Sequence, residues 1–258
     1  MDSKALRVTA VLGTAAGLAL AVVPAAASAA QPPAHPHAVS HAPNHRVISP
    51  RDHVTGHTRS AQQSSNWSGY AETGSYTSAT ATWTVPSVTT TSDDRYSSDW
   101  VGIDGYNNSD LIQLGTEQDS VGGQAEYQAW WEILPAAETP IDSVSISPGD
   151  SITATIQSNG DGSWTMSLTD NSNGQSFSTT QNYSGPGNSV EYIEEAPEVG
   201  GSIASPAELS ESDFSGLTAN GGNPNLSSSD EIDLVQNGTT YYQPSLTGSD
   251  SFSVSYTG

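Results

Sequence analysis

From residue 61 onward the 258-residue chain has no Cys, no His and no Lys, so any chemistry there falls to carboxylates, amides and hydroxyls. A Cys–His pair, a Ser-His-Asp triad, Ser–Lys chemistry and a Schiff base are excluded from this region, as is a zinc site built on His or Cys. No metal or cofactor is expected. An all-oxygen calcium site stays open in Asp104-Gly105-Tyr106-Asn107-Asn108-Ser109-Asp110, but the spacing is not that of an EF-hand, and the stretch reads better as a hairpin loop. The repertoire left is acid and amide chemistry: a carboxylate as general acid or base, and a carboxamide as donor to a developing oxyanion.

Several short runs put such groups on one face of a strand. In Ser98-Asp99-Trp100-Val101-Gly102-Ile103-Asp104, read at period two, Val101 and Ile103 point one way and Trp100, Gly102 and Asp104 the other. In Leu111-Ile112-Gln113-Leu114-Gly115-Thr116-Glu117, Gln113, Gly115 and Glu117 share a face opposite Ile112 and Leu114. A hairpin through residues 105–110 pairs Gly102 with Gln113 and Trp100 with Gly115, and two glycines beside an amide would leave room for a foreign backbone. Glu126, Gln128, Trp130 and Glu132 form the polar side of a third run, with Tyr127, Ala129, Trp131 and Ile133 as its core side. A fourth, Val190-Glu191-Tyr192-Ile193-Glu194-Glu195, carries Glu191, Ile193 and Glu195 on one face. It reads either as a charge-protected edge strand or as an acid/base site in which mutual repulsion raises proton affinity.

The elements that must position these groups are strands. Nearly every segment from Ser65 to the end alternates, as in Ala79-Thr80-Ala81-Thr82-Trp83-Thr84-Val85 and Phe252-Ser253-Val254-Ser255-Tyr256. Between the alternating segments lie turn sequences such as Pro148-Gly149-Asp150, Asn159-Gly160-Asp161-Gly162 and Asn237-Gly238. The pattern predicts an all-β antiparallel sandwich of jelly-roll or lectin-like type. With no disulfide available, its stability rests on a sizeable core.

The N-terminal region differs. Lys4 and Arg7 precede an apolar run from Val8 to Val23, and Ala27-Ser28-Ala29 offers a small-residue cleavage site. Residues 1–29 therefore read as a secretory signal peptide, the run being short for the ~20 residues of a membrane span. Residues 30–60 hold all six His among Pro, Ser and Arg, and read as a His-rich propeptide or disordered linker. Residues 61–258 are expected to form one β-sandwich domain. Only Asp2 and Asp52 of the 28 acidic residues precede residue 60, while Arg95 is the single base beyond it. Such a surface cannot neutralise phosphates, which excludes nucleic acid as a partner, and it suits an acidic extracellular habitat near pH ~4. A segment that gains positive charge below pH ~6.5 would lie on this acidic body as a pH-sensitive cover.

In combination these residues resemble the glutamic peptidases of the eqolisin family. The matching landmarks are Asn66-Trp67-Ser68-Gly69, Trp83-Thr84-Val85-Pro86, Trp100-Val101-Gly102-Ile103-Asp104-Gly105, Leu111-Ile112-Gln113-Leu114-Gly115, Tyr127-Gln128-Ala129-Trp130-Trp131-Glu132, Glu191-Tyr192-Ile193-Glu194-Glu195 and Asp213-Phe214. The resemblance implies two antiparallel sheets of about seven strands and a catalytic dyad of Gln113 and Glu195. It further implies that Trp100, Asp104 and Glu198 belong to the substrate cleft, and that Glu117 stands where relatives carry an Asp supporting the Gln; Glu132, on the polar face of the third run, is a further substrate-binding candidate. The activity it implies is that of a secreted acid endopeptidase; a monomer is the default for a small secreted hydrolase, and the missing paired Asp-Thr/Ser-Gly signatures predict insensitivity to pepstatin-type inhibitors. Such an enzyme would act on proteins or peptides and be free of the membrane after signal removal. Two rival readings of the same face are a jelly-roll glycosidase using Glu132 and Glu195 and a lectin-like carbohydrate-binding domain.

Overall fold

The computed structural model describes residues 39–42 and 61–258; the expected signal peptide and most of the expected propeptide lie outside the described residues. In chain order the strands are β1 (Val39–Ser40), β2 (Gln62–Ser64), β3 (Trp67–Thr73), β4 (Ser78–Thr84), β5 (Ser98–Ile103) and β6 (Ile112–Val121). There follow β7 (Gln124–Ile133), β8 (Thr139–Pro140), β9 (Ser151–Ser158), β10 (Ser163–Asp170), β11 (Ser176–Asn182) and β12 (Ser189–Glu195). The last six are β13 (Glu198–Val199), β14 (Ser202–Ile203), β15 (Ser212–Ala219), β16 (Glu231–Gln236), β17 (Thr239–Gly248) and β18 (Ser251–Tyr256).

These strands form an antiparallel β-sandwich. One layer runs β11-β10-β9-β4-β15-β18, the other β16-β3-β12-β5-β6-β7-β8. The layers are not separate sheets. The ten-residue strand β17 pairs with β16 through Thr239–Tyr242 and with β18 through Tyr242–Gly248, so it passes from one layer into the other. A strand of that length under the native twist can serve two layers at once. Face to face, β5 packs on β4 and β9, and β6 on β9 and β10.

Alternation fills the space between the layers. Ala79, Ala81 and Trp83 from β4, Ile152, Ala154 and Ile156 from β9, and Val101 and Ile103 from β5 meet there, fully or almost fully buried. Phe214 and Phe252 stack with ring centroids 4.6 Å apart. The opposite face of the second layer carries its own apolar cluster of Trp67, Ala71, Trp100, Leu111, Trp130, Ile193 and Ile232. A sheet with one solvated face has no reason to bury three Trp on it.

The fourth run of the sequence, β12, is not an edge. It lies between β3 and β5, and all seven of its residues are buried. The edge-strand reading of Glu191, Glu194 and Glu195 is therefore wrong, and their charges need another explanation.

Candidate active site

Three rungs cross β7, β6, β5, β12 and β3 on the outer face. The first aligns Glu132, Gln113, Gly102 and Glu191; the second Trp130, Gly115, Trp100, Ile193 and Gly69; the third Gln128, Glu117, Ser98, Glu195 and Trp67. The expected pairing of Gly102 with Gln113 and of Trp100 with Gly115 is observed. Gln113 and Glu195 thus stand on one face of one layer, two strands apart and on different rungs, with Trp100 between them.

The two glycines serve that Trp rather than a foreign backbone. A Cβ at Gly102 would lie 2.7 Å from Trp100 Cζ3, and one at Gly115 would meet the Asp99 carbonyl and lie 2.6 Å from Trp100 Cβ. The expected role for these glycines is corrected accordingly. The indole fills the cross-strand space that side chains at those positions would occupy.

The carboxylate of Glu195 is fully buried and held at both oxygens. Trp100 Nε1 donates to Oε2 at 2.8 Å, and Asn66 Nδ2 donates to Oε1 at 3.2 Å. Burial pushes its pKa up, partly offset by His41, Trp100 and Asn66. Gln113 is equally buried. Its Nε2 donates to Glu132 Oε2 at 2.8 Å, while its Oε1 has no hydrogen-bond partner. The carboxylate that takes the amide hydrogen is Glu132 because it faces Gln113 across the ladder, whereas Glu117 is two rungs along Gln113's own strand. Burial pushes the Glu132 carboxyl up to about 7, against the charge of His41 and the hydrogen bonds from Ser40 and the His41 amide.

A segment of the chain's own N-terminal region lies in this site. Four residues of the stretch read as a linker, 39–42, are described, and they form a strand and its continuation. Val39 and Ser40 pair antiparallel with Val199 and Glu198 of β13. Ser40 Oγ donates to Glu132 Oε1 at 2.8 Å, and the His41 amide donates to Glu132 Oε2 at 3.0 Å. The His41 carbonyl accepts from Gln113 Nε2 at 2.8 Å. Asn66 Nδ2 and Trp67 Nε1 both donate to the Ala42 carbonyl at 3.1 Å.

The His41 ring is fully buried and stacks on Trp130, centroids 3.6 Å apart and planes 7° from parallel. Its Nδ1 lies 3.2 Å from Glu195 Oε2, its Nε2 3.1 Å from Glu138 Oε2 and 3.7 Å from Glu117 Oε1. Burial alone would lower the His41 pKa, but hydrogen bonds to Glu138 and Glu195, with the charges of Glu195 and Glu132, hold it well above the ordinary value. The imidazolium then donates from both nitrogens. His41, Glu117 and Glu138 bring three ligand atoms within 4.8 Å of one another, a spacing that a cationic ring between carboxylates also produces.

The remaining expected residues fall in distinct places. Trp100 is a partner of Glu195, and Glu198 is a ladder partner of the bound segment. Asp104, at φ 71, sits where β5 ends and gathers loops: it accepts from Tyr183 Oη at 2.7 Å, the amides of Gly187 and Asn188 at 2.8 and 2.9 Å, and Asn108 Nδ2 at 3.1 Å. Of the side-chain oxygens in loop 104–110, those of Asp104 and Asn108 Oδ1 are taken by N–H and O–H donors. Sequence reasoning did not single out Asn66, Trp67 or Glu138 as site residues. Asn66-Trp67 was at hand as a motif, but its place opposite Glu195 depends on the β3–β12 register; Glu138 lies in a turn with no motif.

Residues 65–256 match the model of the Peptidase A4 family, and the chain belongs to that family. Aspergillopepsin-2 of Aspergillus niger is 29% identical over an alignment of 226 positions that covers 77% of this chain and 80% of that protein. A crystal structure of scytalido-glutamic peptidase with a transition state analog inhibitor superposes with a TM-score of 0.65 at 26% identity, covering 75% of this chain and 98% of that one. The eqolisin SCP-B in a complex with the tripeptide Ala-Ile-His superposes with a TM-score of 0.61 at 25% identity, over the same shares. The chain is thus a glutamic-type endopeptidase of eqolisin type, and the glycosidase and lectin-like readings fall away.

Proposed function

We propose that this endopeptidase is secreted and works in acid through Gln113 and Glu195, with an activated water and no covalent intermediate. The observation that carries the reading is the peptide carbonyl of His41 on Gln113 Nε2 at 2.8 Å, in a residue whose ring stands on Glu195.

Ionised Glu195 removes a proton from a water as the water oxygen bonds to the scissile carbonyl carbon. The carbonyl oxygen becomes an oxyanion held by one Gln113 N–H, in the position the His41 carbonyl takes. Collapse breaks the C–N bond, and the proton on Glu195 passes to the leaving nitrogen, giving an acid and an amine. Glu132 accepts the other Gln113 N–H and so helps hold the amide in place. That leaves Gln113 Oε1 as a spare acceptor able to orient the water. The amide is suited to acid because its donor persists at every pH.

Substrate is held as an added strand along Glu198–Val199, the mode in which backbone bonds supply affinity and side-chain pockets specificity. Trp100, Glu117, Glu132 and Glu198 line that path, and Asp104 shapes the loops behind it. The tripeptide held by SCP-B ends in His, as Val39-Ser40-His41 does. Residues 1–29 act as the export signal and 30–60 as a propeptide to the 61–258 catalytic domain.

The test is hydrolysis of unfolded casein at about pH 4, with and without a pepstatin-type inhibitor. Turnover should be unaffected by the inhibitor. Gln113→Ala should lose about 10²–10³ in kcat, as expected for an oxyanion donor, and Glu195→Gln should lose the base entirely. Near-parental turnover in either variant would overturn the assignment.

A further inference from the structure

We infer that Asn66 and Trp67 form a second carbonyl site, which takes the uncharged carbonyl of the first residue after the scissile bond and thereby restricts the enzyme to bonds inside a chain. The inference rests on the dyad of Gln113 and Glu195 and adds what the leaving half of the substrate must carry.

The backbone of Val39–Ala42 marks where a peptide lies. With the His41 carbonyl on Gln113 Nε2 standing in for the scissile carbonyl, the Ala42 carbonyl stands in for the next one along the chain. That carbonyl accepts from two side chains, Asn66 Nδ2 and Trp67 Nε1, each at 3.1 Å. Both donors belong to fully buried, uncharged groups, so they persist at every pH.

Their placement comes from the bend between β2 and β3. Ser64 Oγ accepts the Asn66 and Trp67 backbone amides at 3.3 and 3.1 Å and donates to Asn66 Oδ1 at 2.8 Å. With Oδ1 held there, the Asn66 amide presents Nδ2 to the cleft. The Trp67 indole stands edge-on to Trp100, ring centroids 5.0 Å apart. Ser64 is anchored in turn by its parallel ladder to Leu234 of β16. The two donors are thus set by strands, which hold geometry better than loops do.

The same Asn66 nitrogen donates to Glu195 Oε1 at 3.2 Å, and this sharing decides which carbonyls fit. A peptide carbonyl is neutral and can share a donor with a carboxylate. The carboxylate of a C-terminal residue would set a second negative charge beside Glu195, on one donor, in a buried site. Beyond residue 60 the single Lys or Arg is Arg95, and it donates to the Pro206 carbonyl at 3.4 Å. A leaving group without any carbonyl fails differently, because Asn66 and Trp67 are left without that acceptor. A bond in the interior of a peptide meets both conditions.

The experiment uses the full-length chain and one N-blocked peptide joined to three leaving groups: alaninamide, alanine and ethylamine. The three compete in a single mixture at pH ~5, where a terminal carboxyl is ionised. Competition returns ratios of kcat/KM, which do not depend on how much of the enzyme has its cleft occupied by the N-terminal segment. The alaninamide substrate should lead both others by about tenfold, as expected for two hydrogen bonds set against none or against a repelled charge. Trp67→Phe keeps an aromatic ring and removes one donor, and should narrow the alaninamide-to-ethylamine ratio about fivefold. Comparing variant with parent cancels the intrinsic difference between the two amines, and a loss of stability would slow both substrates alike.

An unchanged ratio in Trp67→Phe overturns the second carbonyl site. Equal use of alanine and alaninamide overturns the restriction to interior bonds. Should Trp67→Phe fail to fold, Asn66→Ala carries the same test through the other donor. Gln113→Ala keeps the two failures apart: it should slow all three substrates, and retained turnover would remove the dyad itself. An inactive Gln113→Ala chain beside an unchanged Trp67→Phe ratio removes the carbonyl site alone.

Discussion

Trp100 Nε1 donates to Glu195 Oε2 at 2.8 Å, although the two residues do not face each other across their strands: Trp100 is opposite Ile193, and Glu195 is opposite Ser98. The indole reaches diagonally from one rung to the next, over space kept clear by Gly102 and Gly115. An ionised carboxylate in a buried site needs donors, and this one receives them from Trp100 and Asn66 before any substrate arrives.

Replacing Trp100 by Phe keeps the apolar body and removes that donor. A hydrogen bond to a carboxylate favours its charged form, so the Glu195 pKa should rise and the acidic limb of the kcat/KM profile should move to higher pH. A bond of this type contributes ~1.5–3 kcal/mol, so activity on the plateau should fall about tenfold to a hundredfold. A pH–rate series checks both; an unmoved limb would refute the role given to the indole.

Asp99 and Glu194 face the other way, into the sandwich, on adjacent strands and fully buried. Gln118 Nε2 donates to Asp99 at 3.1 Å and Ser212 Oγ to Glu194 at 3.1 Å. Burial pushes both carboxyl groups upward, and in Glu194 the neighbouring Asp99 adds to it. Groups whose folded pKa is raised stabilise below their unfolded value near ~4 and lose that contribution as pH rises through the folded one. The melting temperature should therefore fall from mildly acidic to neutral pH and above. Asp99→Asn, which cannot ionise, should flatten that decline; thermal unfolding across the range would show it.

Asp104 should matter to stability through the four donors it gathers. Asp104→Ala leaves the buried Gly187 amide without an acceptor, at about 1–3 kcal/mol, and leaves the Tyr183 hydroxyl only the Ile103 carbonyl at 3.4 Å. It also removes a side chain type that tolerates φ 71. The melting temperature should drop by several degrees, and Asp104→Asn should lose less. Denaturant unfolding of the two variants separates the backbone effect from the hydrogen bonds.

In the full-length chain one imidazole should titrate above the ordinary value of ~6.5, and that signal should be missing from His41→Ala. The sign follows from the groups involved: docking of Val39–Ala42 weakens as pH rises through the raised His41 value, and it also weakens in acid as Glu132, pushed up to about 7, and Glu195, whose pKa is raised too, take up protons. NMR of ring-labelled histidine makes the measurement. Only ordinary titrations would mean that His41 does not sit among these carboxylates.

Much of the architecture was open to reading in one dimension. Alternation with turn residues between strands points to an antiparallel sandwich because side chains on a pleated strand must alternate faces, and the hairpin register of β5 and β6 follows from a loop of known length. The absence of Cys, His and Lys beyond residue 60 restricted the chemistry to acids and amides without any coordinates. What could not be read is which strands lie side by side when they are far apart in sequence. A charged edge stayed one of two readings of β12 because nothing local reveals that β3 and β5 flank it.

The primary structure by itself determined the class of fold, the kinds of groups available for catalysis, and a faced pattern of Trp, Gln and Glu, all of which are consequences of side-chain periodicity and inventory. Only the tertiary structure decided that Glu132 rather than Glu117 faces Gln113 across the ladder, that Gly102 and Gly115 make room for Trp100, and that Glu138 and Trp130 enclose His41. Those contacts join residues up to 97 positions apart. Distance in space between such residues is set by strand pairing and layer packing, which no local spacing encodes.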